Sequence, residues 1–357
     1  MTDLNIGIIG AGDILGQYLD TFDALPQVRV SAVAAAHLER AEAAVIGRDT
    51  RACPVEELLA DPAIDVVVDL APPLAHAGLN DAAIAAGKHI YTEKPLAATP
   101  AEARDLLQAA DVAGVAIGCA PDTFLGTGLQ TTAKALADGL IGEPFAATAL
   151  WGGPGPEPWH PNPQFFYEPG GGPVLDMGPY YVTALVVHLG PVASVHSCVR
   201  TTNRARVVGS GPLNGTPLHV EVPTFATAIL EHASGVLSTV SLSFETFAGL
   251  TGLEIYGTGG TLRLPDPNVF EEPGSLITAD GDEHELAPSA GYVGLGRGVG
   301  AVEMWASFGA GREPRAGGEL AAHVTEVLAA INGGGDSTVT SRPAIPAPVP
   351  LGARPLD

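Results

Sequence analysis

Residues 4–16 read Leu4-Asn5-Ile6-Gly7-Ile8-Ile9-Gly10-Ala11-Gly12-Asp13-Ile14-Leu15-Gly16. The apolar run Leu4–Ile9 predicts a buried strand, and the residues from Asp13 onward predict a helix. Between them, Gly10 permits a tight turn and Gly12 lets the backbone approach a pyrophosphate, while the helix N-terminus offers free N–H groups to phosphates. We therefore expect Gly10, Gly12, Asp13 and Ile14 to bind a dinucleotide. The glycine spacing is one residue longer than the usual fingerprint, so a purely structural turn is the alternative.

The pattern around this stretch divides the chain into two regions. Up to residue 123, short apolar runs alternate with helical segments, which predicts an α/β domain with a doubly wound parallel sheet. One of these helices begins at a capping sequence, Thr99-Pro100-Ala101-Glu102. Over residues 124–357, strand candidates follow one another, which predicts an α+β domain with a mainly antiparallel sheet. Its predicted helices are Gly126–Ala137, Val174–Leu189 and Glu319–Ile331, and Ser341–Asp357 is expected to be an extended surface tail.

Composition narrows the classes of partner. The chain has 357 residues, 46% of them hydrophobic, and a formal net charge of −23. Such a charge repels phosphate backbones and anionic membrane surfaces, so neither nucleic acid nor membrane is an expected partner. Cys53, Cys119 and Cys198 are too far apart to suggest a disulfide framework or a paired-cysteine metal site. No metal site is predicted, and without a signal sequence or a long apolar run we expect a cytoplasmic protein.

The end of the second predicted strand bears on the choice of dinucleotide. An acidic residue usually binds the ribose 2′-hydroxyl there, but this chain has Ala35, Ala36 and His37, followed by Arg40. His37 or Arg40 could reach a 2′-phosphate, which leans weakly toward NADP or use of both dinucleotides. The alternative is that His37 caps the next helix.

The segment Gly87-Lys88-His89-Ile90-Tyr91-Thr92-Glu93-Lys94-Pro95-Leu96-Ala97 is the most informative part of the sequence. Glu93 and Lys94 come directly after an apolar strand, at the sheet edge where open α/β folds bind ligands. The chain has only three lysines, so a lysine at that edge suggests function. The alternative is a surface salt bridge.

Four segments together resemble the Gfo/Idh/MocA oxidoreductase family: the glycine loop, Ala71-Pro72-Pro73-Leu74-Ala75-His76, the segment around Glu93-Lys94-Pro95, and Gly170-Gly171-Gly172-Pro173-Val174-Leu175-Asp176-Met177-Gly178. The resemblance implies a Rossmann domain followed by an open-sheet α+β domain. It also implies NAD(H) or NADP(H) as cofactor and a sugar, polyol or inositol as substrate. A homodimer or homotetramer, joined through the C-terminal sheet, is expected.

By this resemblance, Lys94 hydrogen-bonds the reacting oxygen beside the nicotinamide, and Glu93 meets the nicotinamide ribose or carboxamide. Ala71, Pro72 and His76 line the dinucleotide. Partial burial and the cationic nicotinamide are expected to lower the pKa of Lys94.

The family pattern Asp-x-Gly-x-His is altered here to Asp176-Met177-Gly178-Pro179-Tyr180. Asp176 matches, and Tyr180 replaces the histidine. Four residues apart on a helix, both side chains share one face. Tyr180 can relay a proton, with a nearby lysine lowering its pKa, so Lys94, Asp176 and Tyr180 are the expected catalytic residues. His160 is the alternative proton carrier.

Substrate contacts are expected from two further segments. Trp159, His160 and Tyr167 lie in a proline-rich aromatic stretch that suits the apolar face of a sugar; packing of the domain junction is the equally weighted alternative. Asp122 follows the last strand of the first domain and could accept a hydrogen bond from a substrate hydroxyl.

These residues together predict a sugar or polyol dehydrogenase that transfers a hydride between the substrate and a nicotinamide. Two alternatives stay open. One is a redox-neutral, NAD-dependent glycosidase that oxidises its substrate transiently. The other is a non-catalytic NAD(P) sensor, which the missing histidine favours and the presence of Lys94 and Asp176 disfavours.

Overall fold

The computed structural model describes residues 3–202 and 204–356. Its first part alternates strands and helices, as the short apolar runs predict. The elements in chain order are β1 (Leu4–Ile9), α1 (Leu15–Asp23), β2 (Val28–Ala34), α2 (Leu38–Ala44), β3 (Arg51–Ala52), α3 (Val55–Ala60), β4 (Val66–Asp69), α4 (His76–Ala85), β5 (His89–Thr92), α5 (Pro100–Ala113) and β6 (Ile117–Cys119).

These strands form one parallel sheet in the order β3-β2-β1-β4-β5-β6. β1 is hydrogen-bonded to β2 on one side and to β4 on the other, so the winding reverses beside β1. In such sheets the ligand crevice lies outside the carboxyl ends of the strands at this reversal. The predicted Rossmann sheet is confirmed, and the glycine loop lies at its crevice.

The second part is dominated by strands. Its elements are α6 (Thr127–Ala137), β7 (Pro144–Gly152), α7 (Pro173–Asp176), α8 (Gly178–Leu189), β8 (Val192–Arg200), β9 (Phe225–His232), β10 (Leu237–Ser243), β11 (Leu250–Gly257), β12 (Gly260–Arg263), β13 (Ser275–Thr278), β14 (Glu283–Glu285), α9 (Val299–Gly309), α10 (Gly318–Gly333) and β15 (Gly335–Thr338).

In the described residues, these strands form a nine-stranded sheet in the order β14-β13-β12-β11-β7-β10-β9-β8-β15. Neighbours are antiparallel except β7 and β10, which are parallel. The largely buried helix α8 packs against one face, beside α10. The predicted mainly antiparallel sheet is confirmed; the boundary after residue 123 stays a prediction.

Two predicted elements differ in extent. The helix predicted over Val174–Leu189 is interrupted at Met177, so α7 ends at Asp176 and α8 starts at Gly178. The sequence of residues His219–Glu231 predicts one strand, but β9 begins only at Phe225. Pro223 has no N–H to donate to a strand ladder, which explains the later start.

The chain returns to the first sheet after completing most of the second. Helix α9, which the sequence did not predict, packs on β5 and β6. Cys119 donates its backbone N–H to the Ala316 carbonyl at 3.0 Å, so the β6 edge of the first sheet is covered. The predicted tail from Ser341, whose last residue Asp357 lies outside the described residues, is extended, but its Val349 is buried.

Within the described part of the chain, no helix combines the length and the apolar character needed to cross a membrane.

Candidate active site

The glycine loop has the backbone geometry that its sequence predicts. Gly10 has a φ of 117°, in the region that favours glycine. A Cβ atom at Gly10 would lie 2.6 Å from the Leu70 carbonyl carbon and oxygen. The close passage of β1 past the end of β4 therefore requires a glycine here.

The other side of the loop is open. A Cβ at Gly12 would meet nothing within 4 Å, and Asp13 is exposed. Helix α1 starts at Leu15, two residues later than predicted, and no side chain caps its N-terminus. The free N–H groups around Ile14 and this open space fit a pyrophosphate.

The residues predicted at the end of β2 lie on the surface. Ala35 is half-buried, Arg40 is exposed, and the His37 side chain is 70% exposed. His37 occupies the N-cap position of α2 but makes no capping hydrogen bond. The His37 ring, whose Nδ1 lies 3.9 Å from the Glu39 carboxylate, and the Arg40 guanidinium are therefore both accessible to a ligand.

Ala71, Pro72 and His76 lie at the next crossover, directly after β4. The Ala71 N–H donates to the Asp69 carboxylate at 2.9 Å. His76 is completely buried, with Nδ1 2.7 Å from the Pro95 carbonyl oxygen and Nε2 2.8 Å from that of Ala71. Its ring therefore joins two turns beneath the crevice and does not line the crevice surface, where the sequence had placed it.

Glu93 is held at the carboxyl end of β5 by two donors. Its carboxylate accepts a hydrogen bond from the buried Tyr18 hydroxyl at 2.7 Å and one from the Lys94 N–H at 3.0 Å. Tyr18 lies on α1, so Glu93 is fixed next to the helix that follows the glycine loop. The Lys94–Pro95 peptide bond is cis.

Lys94 connects the two parts of the chain. Its Nζ donates to the Asp176 carbonyl at 2.7 Å and to the Asp176 carboxylate at 3.2 Å. Burial acts to lower the pKa of Lys94, but the carboxylates of Asp176 and Glu93 and the hydrogen bond to Asp176 outweigh it and raise the pKa. Burial therefore does not lower the pKa of Lys94 in the protein alone, where Lys94 stays protonated at neutral pH; the effect expected of a cationic nicotinamide stays a prediction.

Tyr180 completes the cluster. The Lys94 Nζ lies 5.2 Å from the centroid of the Tyr180 ring, and 7% of Tyr180 is exposed. Burial raises the pKa of Tyr180, Lys94 opposes that rise, and the result is a raised pKa. The predicted lowering of the pKa by the lysine does not prevail, so the Tyr180 phenol is neutral at neutral pH. The three residues predicted as catalytic lie together although the helix between Asp176 and Tyr180 is broken.

The glycine segment 170–172 connects this cluster to residues 158–167, which we call the aromatic loop. The Asp176 N–H donates to the Gly172 carbonyl at 3.0 Å, and the Gly172 N–H donates to the Phe166 carbonyl at 2.7 Å. A Cβ at Gly171 would lie 2.5 Å from the same Phe166 oxygen. The aromatic loop therefore rests directly on the turn that begins α7.

Only some of the aromatic residues that were predicted to contact the substrate are accessible. Trp159 is 66% exposed, and its ring centroid lies 5.4 Å from that of His160. Tyr167 is completely buried and donates to the Glu157 carboxylate, while Arg206 donates to the Tyr167 hydroxyl at 2.8 Å. Tyr167 therefore anchors the loop and does not face the crevice, contrary to its predicted substrate contact.

Asp122 is also completely buried. Its carboxylate accepts hydrogen bonds from the N–H groups of Gly298 at 2.8 Å and Gly300 at 3.0 Å. Burial raises the pKa of Asp122 to about 6, although these hydrogen bonds lower it. Asp122 holds the start of α9, and this position argues against the predicted contact with a substrate hydroxyl.

Sequence reasoning missed Arg297, in the turn before α9. Its guanidinium carbon lies 5.7 Å from the Tyr180 ring centroid. The available signal was an arginine within the glycine-rich run from Gly291 to Gly300, which is weak because such runs are common in loops.

Metal-assisted chemistry has no support in the described part of the chain. No group of three or more histidine, cysteine, aspartate and glutamate side chains has an arrangement that could hold a metal ion there.

Comparison with protein families gives matches in both parts of the chain. The family described as "Oxidoreductase family, NAD-binding Rossmann fold" matches residues 4–120. The family described as "GFO/IDH/MocA C-terminal domain" matches residues 129–263.

Two curated relatives illustrate the range of similar enzymes. The dTDP-3,4-didehydro-2,6-dideoxy-alpha-D-glucose 3-reductase of Streptomyces antibioticus is 30% identical, over 73% of this chain and 75% of its own. The 1,5-anhydro-D-fructose reductase of Ensifer adhaerens is 31% identical, over 58% of this chain and 59% of its own.

Solved structures share the fold. Levoglucosan dehydrogenase in its apo form superposes with a TM-score of 0.81 and 20% identity, covering 96% of this chain and all of its own. The same enzyme with NADH and levoglucosan gives a TM-score of 0.79 and 19% identity, covering 94% and 99%.

Proposed function

Because the chain belongs to the Gfo/Idh/MocA family of NAD-binding oxidoreductases, we propose that it transfers a hydride between a nicotinamide and a substrate carbon. The substrate carries its reacting hydroxyl or carbonyl on a sugar, polyol or inositol-like ring. The observation that carries this proposal is the contact of Lys94 with Asp176 and Tyr180 beside the glycine loop.

The residues have separate tasks in this reaction. NAD or NADP supplies the hydride acceptor or donor when bound. The positive charge of Lys94 stabilises negative charge on the reacting oxygen, and Asp176 holds the ammonium group in place. Tyr180 donates its proton to that oxygen when a carbonyl is reduced and recovers a proton when a hydroxyl is oxidised.

The surroundings of the cluster support this assignment. Lys94 and Asp176 have side chains that are 17% and 25% exposed, so they are accessible yet largely removed from water. The attraction of the Lys94 ammonium group for a developing oxyanion is stronger at such a site than in bulk solvent. Trp159 and His160 lie on the loop that adjoins α7, and they are proposed to contact the apolar face of the ring.

The first experiment follows absorbance of the reduced nicotinamide. The purified protein is mixed with NAD⁺ or NADP⁺ and a panel of sugars, polyols and inositols, and the reverse reaction is assayed with the corresponding carbonyl compounds. We expect turnover with at least one pair. A tightly bound dinucleotide without absorbance change for any compound would contradict hydride transfer as the net reaction.

Lys94→Ala tests the assigned catalytic group. We expect at least about a 100-fold loss in kcat, since removal of one charge-stabilising donor typically costs 10²–10³ in rate, whereas dinucleotide affinity changes little. Lys134→Ala is the matched control, because Lys134 lies on α6 in an exposed pair with Asp138. Unchanged turnover in Lys94→Ala would show that Lys94 does not have this role.

A further inference from the structure

Arg297 is held across the junction of the two parts of the chain. Its Nε donates to the Gln17 side-chain oxygen at 3.0 Å, and its Nη2 donates to the Asn268 side-chain oxygen at 2.6 Å. Gln17 lies on α1, just after the glycine loop, and Asn268 lies between β12 and β13. Two contacts from different directions fix the plane of the guanidinium group.

Both of these hydrogen-bond partners are neutral amides. Within the described ranges, no carboxylate oxygen lies close enough to Arg297 to form an ion pair with it. An arginine keeps its proton throughout the working pH range. A full positive charge is therefore fixed in position and directed at whatever lies beside it.

Tyr180 lies beside it. Lys94 Nζ and the Arg297 guanidinium carbon lie 5.2 and 5.7 Å from the Tyr180 ring centroid. Both distances are within the range of cation–π attraction. One buried phenol thus has two permanent cations as neighbours, in a chain whose net charge is −23.

The other charged groups around Tyr180 are acidic. Glu93 follows β5 and Asp176 ends α7, and both raise the pKa of Tyr180 after burial, which is the largest cause; Lys94 and Arg297 lower it. Arg297 itself also faces Glu93 and Asp122, together with the Tyr18 hydroxyl. The two cations therefore oppose both burial and the carboxylates.

We propose that Arg297 is a positioning residue that holds the Tyr180 ring beside Lys94 and favours the phenolate needed when a substrate hydroxyl is oxidised. In that direction, the hydroxyl proton passes to the phenolate oxygen while the hydride leaves the same carbon for the oxidised nicotinamide. The substrate becomes a carbonyl compound and the cofactor is reduced; the reverse reaction returns the proton from Tyr180. This role of Arg297 rests on the proposed hydride transfer.

A test without substrate uses 3-nitrotyrosine introduced at position 180, because its ionisation is visible by absorbance and belongs to that site alone. We expect Arg297→Gln to raise the pH of half-ionisation by about one unit, since loss of a nearby opposite charge has effects of this size. Arg297→Lys keeps the positive charge, so its pH of half-ionisation should lie close to that of the parent protein. Arg312→Gln, in an exposed arginine just beyond α9, is the matched control and should leave the titration unchanged.

An unchanged titration in Arg297→Gln, with circular dichroism showing a native fold, would overturn the proposal. If Arg297→Gln does not fold, Arg297→Met takes its place, because it also removes the positive charge and should raise the midpoint in the same way. A midpoint equal to that of the parent would again overturn it.

Kinetics supply the second readout once a substrate is known. In Arg297→Gln, the pH at which kcat for oxidation is half-maximal should rise, and Tyr180→Phe should abolish that difference. If Arg297→Gln still lowers activity in the Tyr180→Phe background, and does so by raising KM, Arg297 binds the substrate directly instead. If no compound is turned over, the proposed function fails, while the nitrotyrosine titration still decides whether Arg297 acts on position 180.

Discussion

At the scale of single residues, the end of β2 determines which dinucleotide fits the crevice. An acidic side chain there binds the ribose 2′-hydroxyl and repels a 2′-phosphate. Here the backbone leaves β2 through Ala35, and both His37 and Arg40 are exposed, with His37 Nδ1 3.9 Å from the Glu39 carboxylate. A 2′-phosphate would therefore meet the Arg40 guanidinium, and Ala35 and Ala36 offer no carboxylate at the position that usually binds the 2′-hydroxyl.

Arg40→Ala is expected to weaken NADPH binding by about 10-fold or more and to leave NADH binding nearly unchanged, because a hydrogen bond to a charged group contributes about 1.5–3 kcal/mol. Binding is measured by nicotinamide fluorescence for each dinucleotide. Arg29→Ala is the control, since Arg29 lies near the start of β2 and pairs with Asp49. An unchanged ratio of the two affinities would exclude Arg40 from the adenosine end of the site.

The charge state of Lys94 could not be predicted from residue types alone. Partial burial lowers the pKa of a lysine, and the sequence indicates that burial. Glu93 adjoins Lys94 in the sequence, but the opposing charge of Asp176 depends on where two distant segments meet, which only the folded chain shows. The members of the cluster could be predicted from the sequence, but the balance between burial and charge that sets the pKa of Lys94 could not.

At the scale of elements, helices with local signals were predictable and those without were not. Helix α5 begins with the capping box of Thr99 and Glu102 and ends at Gly114 in the left-handed conformation, as its sequence indicates. Helix α9 has no capping side chain and is buried on most of its surface. A helix buried all round lacks the apolar stripe that periodicity detects, so α9 and the Arg297 turn before it were missed.

Asp122 replaces the missing local cap of α9 from a distant part of the chain. Asp122→Ala would leave the buried N–H groups of Gly298 and Gly300 without their acceptor, and we expect it to lower the free energy of unfolding by about 2 kcal/mol. The urea midpoint at pH 7.5 measures this change.

Asp122→Asn is the matched variant, because its amide oxygen can still accept from both N–H groups. It should cost clearly less than Asp122→Ala. Equal losses in the two variants would show that the negative charge, and not the acceptor, holds α9 in place.

At the scale of the whole molecule, buried histidines link stability to pH. Burial lowers the pKa of His188 and of His323 to about 4. His323 is completely buried, and its Nε2 accepts a hydrogen bond from the Val192 N–H at 3.0 Å, which requires an unprotonated nitrogen. The folded state therefore excludes protons that the unfolded chain binds below about pH 6.5.

This difference in proton binding determines whether stability rises or falls with pH. The contribution of each histidine is complete above about pH 6.5 and is lost as the pH falls toward 4, because the unfolded chain binds more protons. For His323 the loss approaches about 3 kcal/mol at pH 4, from a shift of roughly two and a half pKa units. We expect the melting temperature to fall steadily between pH 6.5 and 4.5.

His323→Gln should make this fall shallower, whatever its effect at pH 7.5, since glutamine does not titrate there. His219→Gln is the control, because the His219 side chain is 79% exposed. Thermal melts at several pH values measure both. If the His323→Gln curve ran parallel to that of the parent protein, the acid sensitivity would have another source.

The buried cluster around Arg206 has a consequence for how such chains diverge. Arg206 has no exposed side-chain surface and pairs with Glu157 at 2.6 Å and Glu245 at 2.7 Å, so the base of the aromatic loop is fixed independently of its tip. Trp159 and Phe165, at the tip, are 66% and 47% exposed and take no part in that anchor. Side chains at the tip can therefore change at little cost to folding, and under the proposed function a change at Trp159 would alter the choice of substrate while the reaction itself stays the same.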